Sequence, residues 1–520
     1  MAIATMVSRV TGFGWKLMLG WFVGINVVQD SFTIANTLPN IIFELLLGGV
    51  LASIVVPLLV RSHDDPDGGQ TYTNRLLTVG MVGLAIATVI AVLLAPVFTK
   101  IYIDDSTGHA NPELATAFAY LLLPEILFYG LFALLSAILQ ARHVFGPTAW
   151  APVVNNLVVM ATLVIYAMVP GDISLNPVRM GDAKLLVLGI GVTLGIVVQA
   201  VILLPALKRI DFKFKWTWGF DARLKEFGGL ALWILGYVLI SQVGMVITQR
   251  VLTAATPGGV SIYSNAWLLF QLPYGVIGVS LLTAILPRMS RSAADGDTDR
   301  LVDDLSTGSR LSAVMLIPIS AVLTASGIAM GVALFYAGEV ELADATRLGT
   351  ALAFSAFGLL PYALVMLQLR VFYAMKDART PTLIMVVMTV VKIPLLYMCG
   401  ALVEPEQVVI GVMLVNSLTF VVGAVLGQMW LWVRLGTLHS KKVLAVIAKS
   451  IGAGLAGILA AWLITRLVFP AEITTMPRAW LVLIVQSLVT GGVTFGVLAA
   501  LKVPELTPAT SRIARLVRRG

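Results

Sequence analysis

Charge is scarce in this chain. Lys, Arg, Asp and Glu make up 12% of its 520 residues, hydrophobic residues make up 58%, and mean hydropathy is +0.94. A soluble fold needs far more surface charge to stay in water, so that class is excluded. The one cysteine, Cys399, lies in an apolar run, which excludes a disulfide framework and a thiolate metal site. His63, His109, His143 and His439 are scattered through connecting segments without metal-ligand spacing, so no metal is expected. No Walker A pattern occurs, which argues against a primary ATP-driven pump. No Ser/His/Asp or Cys/His set assembles either, so no enzyme activity and no cofactor is expected, and binding and movement remain. No cleavable signal peptide is read, because Met1 opens directly into an apolar helix carrying Arg9 and Lys16.

What is present is a succession of apolar runs of eighteen or more residues. Read between charged or Pro/Gly-rich breaks, they give about fourteen spans, from 2–23 and 30–60 to 443–467 and 479–501. The expected fold is an all-α polytopic membrane protein. The net charge of +8 does not call for a nucleic-acid partner, since the basic residues fall in alternate loops. Arg61 and Arg75, the stretch from Lys208 to Lys225, Arg434 to Lys442 and the tail with Arg512, Arg515, Arg518 and Arg519 all fall on one side. The positive-inside rule makes that side cytoplasmic and puts both termini there. The tail, a short basic amphipathic stretch, is expected to lie on anionic membrane lipid.

The sequence also repeats itself. Leu38-Pro39 recurs as Leu272-Pro273, and Pro147-Thr148 as Pro381-Thr382, each 234 positions later. Pro57 with Arg61-Ser62 recurs as Pro287 with Arg291-Ser292, and Pro124 matches Pro361. Each repeat holds six helices, an even number, so both halves insert in the same orientation about an axis along the membrane normal. The expected architecture is two parallel six-helix lobes around a central cavity, 1–210 and 211–436. Helices 13 and 14 at 437–502, with a groove for a lipid tail, and a basic cytoplasmic tail at 503–520 complete it.

Charges inside apolar helices are the informative residues, because each costs on the order of 3 kcal/mol at the bilayer centre unless it faces water or a partner. Arg9 and Lys16 are two helical turns apart, on one face and about 10 Å from each other along the axis. Two cations aimed at one cleft suit an anionic substrate, most naturally a phosphate or pyrophosphate. The bland reading is that Arg9 snorkels to the headgroups. In span two, Asn36, Asn40 and Glu44 recur at spacing four above Gly48 and Gly49, with Asp30 at the start as a helix-cap or gate residue. Glu44 is read as pairing within the cleft. Arg370 and Lys392 lie deep in spans ten and eleven. Glu125, one residue after Pro124, has a structural reading, satisfying backbone freed by the proline, at least equal to a functional one.

The run Ser8-Arg9-Val10-Thr11-Gly12-Phe13, then Asp30-Ser31-Phe32 and Leu38-Pro39-Asn40, resembles the MurJ (MviN) family within the multidrug/oligosaccharidyl-lipid/polysaccharide (MOP) exporter superfamily. Gln271 to Gly278 with Pro287, and Arg370-Val371-Phe372-Tyr373-Ala374 followed by Asp377 and Thr380-Pro381, are similar to that family's eighth, tenth and eleventh helices. The resemblance covers essentially the whole chain. It implies a flippase for lipid II or a related polyprenyl-pyrophosphate lipid, acting by alternating access in the bacterial cytoplasmic membrane, in peptidoglycan synthesis and alongside cell-wall synthesis proteins. The membrane potential or an ion gradient would supply the energy. Trp15, Phe43 and Leu268 stand where similar family members carry arginines. Arg9 and Asp30 carry over from the family; the assignment of Lys16 comes from this sequence alone. The alternatives are another MOP-type exporter, moving a polysaccharide-lipid or exchanging a drug for a cation, and a non-transporting cell-wall scaffold.

Overall fold

A computed structural model describes residues 2–44, 56–62, 65–104, 106–210, 212–219, 228–469 and 471–506. Every regular element among them is helical. Gly48, Gly49, His63 and the basic tail lie outside the described residues, as do the side chains of Phe43 and Glu44. Contacts divide the chain into two compact units, 1–261 and 262–520.

The first unit begins with α1 (Ala2–Val23) and α2 (Val27–Glu44), joined through Gly24 at φ +83°, a left-handed turn that suits glycine. Asn26 starts α2 by accepting from the backbone N–H groups of Val28 and Gln29. There follow α3 (Val56–Ser62), α4 (Gln70–Leu93), α5 (Ala95–Tyr102), α6 (Pro112–Leu122), α7 (Glu125–Ala141), α8 (Gly146–Met168), α9 (Ala183–Val201), α10 (Leu204–Arg209) and α11 (Gly228–Ala255). Asn111 caps α6 by accepting from Leu114 N–H at 2.9 Å, with Pro112 at the first helical position where its missing N–H costs nothing. α1 packs on α8, and α7 packs against α2, α4 and α9. At the end of α11, Arg250 donates to the carbonyls of Lys100 and Ile103 and pairs with Asp104 at 3.1 Å, fastening α11 to the loop after α5.

The second unit contains most of α12 (Gly259–Pro273), then α13 (Val279–Ala294), α14 (Thr298–Phe335), α15 (Leu342–Ser355), α16 (Leu359–Ala374), α17 (Arg379–Leu402), α18 (Val408–Leu435), α19 (Ser440–Val468) and α20 (Met476–Ala500). α14 is its axis, packed by α15, α19 and α20. At 38 residues it is roughly 57 Å long, well beyond a hydrocarbon core of about 30 Å. Its first turns are correspondingly polar: Asp304 pairs with Arg288 at 2.8 Å, Asp303 lies 3.3 Å from His439, and Arg310 pairs with Glu505. Deeper in, α14 and α15 meet backbone to backbone. A Cβ on Gly327 would come within 2.6 Å of the Gly349 carbonyl, so only glycine permits this approach.

Among the described residues, twelve helical segments are long and apolar enough to cross a membrane. Of the two helices that precede these segments, α1 carries Arg9 and Lys16, and α2, as far as it is described, carries Gln29, Asp30, Asn36 and Asn40. Leu481 and Leu488 on α20 and Leu455 and Leu459 on α19 are exposed, as expected where lipid is the solvent. The protein is a multi-pass membrane protein. The repeated prolines mark matching breaks: Pro124 separates α6 from α7, and Pro361 follows the 3₁₀ turn Ala356–Gly358 between α15 and α16.

Candidate functional site

The orientation of α1 is fixed by α8. Asn156 donates to the Ser8 carbonyl at 3.0 Å and to the Thr11 hydroxyl at 2.9 Å, while Gly14 leaves room for Met160. With 100° per residue, Arg9 and Lys16 then fall on the side of α1 turned away from α8. Arg9 is exposed and Lys16 half-buried, its ammonium 4.3 Å from the centre of the Trp15 ring. Trp15 itself packs into the apolar core of the unit with Leu19 and Leu163.

α2 presents its polar residues to neighbours within the same unit. Asp30, 3% exposed, accepts from Ser261 twice, from the backbone N–H at 2.8 Å and from the hydroxyl at 2.6 Å. Ser261 lies in the turn that opens α12, so the carboxylate sits where free N–H groups and the helix dipole favour an anion. Asn40 donates to the Asn36 carbonyl at 2.6 Å and accepts from Tyr129 of α7 at 3.2 Å, bracing α2 against α7. Glu44 closes α2, but its side chain lies outside the described residues.

In the second unit, Arg370 is exposed near the end of α16, with the phenols of Tyr274 and Tyr373 within its electrostatic reach. Lys392 is half-buried in the middle of α17. Tyr274 opens a π-helical turn, Tyr274–Gly278, directly after Pro273, a kind of irregularity concentrated at functional sites. Around it Trp267, Phe270, Tyr362 and Phe420 form one aromatic cluster, with Tyr274 and Tyr362 rings 4.7 Å apart. The structure thus places Arg9 with Lys16 on one helix of the first unit, and Arg370 and Lys392 on adjacent helices of the second.

The same unit holds a cavity of about 810 Å³ bounded by α14, α16, α18 and α19. Its wall is apolar, with Ile317, Leu364, Ile447, Ile451 and Leu455 prominent. One end is polar: Gln368 donates to the Ala424 carbonyl at 3.0 Å, and Gln428 donates to Ser440, the first residue of α19, at 3.3 Å. Of the two C-terminal helices, α19 lines this cavity and α20 contributes no lining residue among those described.

Two features escaped the reading of the sequence: Asn156 and the aromatic cluster. An asparagine inside the apolar run 148–169 was a usable signal for the first. The aromatics are ordinary apolar residues, and no local pattern separates them from lipid-facing ones.

A family model described as "Lipid II flippase MurJ" matches residues 21–482. The probable lipid II flippase MurJ of Vibrio cholerae is 26% identical over 388 residues, covering 72% of each chain. The lipid II flippase MurJ of Burkholderia cenocepacia is 26% identical over 386 residues, again 72% of each. A solved lipid II flippase MurJ in an inward closed conformation superposes with a TM-score of 0.73 over 96% of this chain and 99% of its own, at 19% identity. An inward-facing multidrug resistance MATE transporter of the MOP superfamily gives 0.64 over 85% of this chain and 99% of its own, at 14% identity. The fold is shared with both, and the family model, spanning most of the sequence, decides between them: the chain belongs to the lipid II flippase MurJ family.

Proposed function

We propose that the protein moves lipid II, an undecaprenyl-pyrophosphate-linked saccharide-peptide, from the inner to the outer leaflet of the bacterial cytoplasmic membrane by alternating access, with both termini cytoplasmic. The observation that carries this reading is the family match over residues 21–482. Fourteen crossings follow when α1 and α2 are counted with the twelve apolar segments. In this reading Arg9 and Lys16 of the first unit and Arg370 and Lys392 of the second receive the pyrophosphate, whose charge needs cations in a low-dielectric setting. Asp30, held by Ser261, acts in gating, and Asn40 and Glu44 line the polar path. The polyprenyl tail lies in the apolar cavity against α19, whose polar end would sit toward the headgroups. Outward movement of two negative charges gains roughly 4.6 kcal/mol per 100 mV of inside-negative potential, which makes the membrane potential the proposed energy source.

The test is rescue of a flippase-depleted bacterium by this chain. Wild type should restore growth, and Arg9→Ala with Lys16→Ala should not, although it accumulates in the membrane. Failure of the wild-type chain to rescue, with normal membrane accumulation, would favour a scaffold role.

A further inference from the structure

Glu125 lies in the middle of the span 112–141, at the first position of α7, and is 0% exposed. Its surroundings specify its protonation state. Pro124 breaks the helix and has no N–H to give, and at this break the Leu121 carbonyl takes its hydrogen bond from the Thr193 hydroxyl on α9, at 2.7 Å. The same hydroxyl lies 3.2 Å from Glu125 Oε1. A hydroxyl has one hydrogen, and a carbonyl oxygen can only accept. With the Thr193 hydrogen committed to Leu121, the contact to Glu125 is a hydrogen bond only when the glutamic acid O–H is the donor. The other carboxyl oxygen, Oε2, is buried with no partner among the described residues.

No described cation offsets a negative charge there. The titratable group facing Glu125 is Tyr129, one turn along its own helix, and Tyr129 gives its hydrogen to Asn40. On α9 the ionisable side chain is Lys184, nine residues from Thr193, lying over the Tyr166 ring and near Asp172. On α2, Asp30 is committed to Ser261, and the Glu44 side chain is outside the described residues. α4 runs antiparallel to α7, with Leu84 beside Gly130 and Gly80 beside Leu134, which puts Tyr72 and Arg75 at the far end of α7. α3 and α10 also pack on that far half, around Leu135 and Leu139. On α6, Glu113 and Tyr120 are exposed. An ionised carboxylate at this point would be dry and uncompensated, at a cost of several kcal/mol.

We propose that Glu125 is a proton-binding site of the first unit, its neutral carboxylic acid bridging the α6–α7 break to Thr193, and that the bound proton lets α7 close against α9. Loss of the proton leaves a carboxylate with no donor on either oxygen among the described residues, so the contact opens until water reaches it. The site is distinct from the proposed substrate residues and needs no substrate to be tested.

The experiment is infrared difference spectroscopy on the full-length protein in lipid nanodiscs at neutral pH, without lipid II. Wild type should show the carbonyl stretch of a protonated carboxyl group that is lost in Glu125→Gln, whose amide fills the same space and also donates to Thr193. Carboxylate stretches in its place overturn the proposal. Thr193→Val is the second variant, informative even where Glu125→Gln does not fold. It removes the acceptor and should move the acid carbonyl band to higher frequency. A band that stays where it is overturns the bridge. Neither outcome bears on whether the protein flips lipid II, so the two readings fail separately.

Discussion

The Lys16 ammonium lies 4.3 Å from the centre of the Trp15 ring, on the side of α1 turned away from α8. Trp15 stands where the family resemblance implies an arginine, and here the cation of the next residue is drawn back over that position. A cation–π contact of this kind is worth about 0.5–2 kcal/mol, depending on how dry it is. Lys16→Ala is therefore expected to abolish rescue of flippase-depleted cells, while Trp15→Leu, which keeps the apolar packing but frees the ammonium, should weaken it. Membrane abundance of both variants, by immunoblot, separates loss of activity from loss of protein.

Asp30 and Ser261 form the second testable relationship. Removing one partner strands the other where it is buried, and hydrogen bonds to a charged group contribute about 1.5–3 kcal/mol. Asp30→Ala should lower the thermal midpoint of the detergent-purified protein clearly. Ser261→Ala, which keeps the backbone donor, should lower it by about half as much. Equal midpoints for wild type and Asp30→Ala would show that the pair contributes nothing.

The apolar cavity gives a third prediction. Ile451 and Leu455 line it from α19, one turn apart. Ile451→Trp adds bulk inside a space of about 810 Å³ without touching a charge. Flipping of a long-chain polyprenyl substrate in proteoliposomes should fall several-fold, and a short-chain analogue should be affected less. Equal losses for both chain lengths would remove the cavity from the transport path.

Asp377, in the connection between α16 and α17, supplies a pH dependence. Partial burial pushes its carboxyl up, but hydrogen bonds from the Thr380 hydroxyl and backbone N–H, with the Arg434 guanidinium at 2.5 Å, outweigh it and hold the carboxyl below its ordinary value. A carboxyl depressed in the folded state stabilises the fold above its unfolded value, about 3.9, and that stabilisation is lost as pH falls through the depressed value. Asp377→Asn should be less stable than wild type at neutral pH, with the difference vanishing at the acid end. Arg434→Gln should bring the acid loss to higher pH. Thermal midpoints across that range check both.

Membrane character and helical fold were legible because they follow from local chemistry. A backbone N–H or C=O in lipid must be satisfied within its own segment, so an apolar run of sufficient length commits itself to a helix. The backbone freed by Pro124 could likewise be read, because proline has no N–H to donate wherever it stands. Arg9 and Lys16 were readable as a pair on one face, since seven residues is two turns of any helix.

Partners were another matter. A helical pattern fixes the direction of a side chain around its own axis and leaves open what stands opposite. Asp30 meets a serine 231 positions away, and Glu125 meets Thr193 across 68. Those pairings depend on how α2, α7 and α9 pack, which is decided by shape along many apolar contacts at once. Thus the sequence determined that lipid is the solvent and which helices carry charge. Only the tertiary structure decided that Asp30 accepts from Ser261 at the start of α12, that Glu125 faces Thr193, and that α19 lines an apolar cavity together with α14, α16 and α18, because each is a relation between segments that no single segment contains.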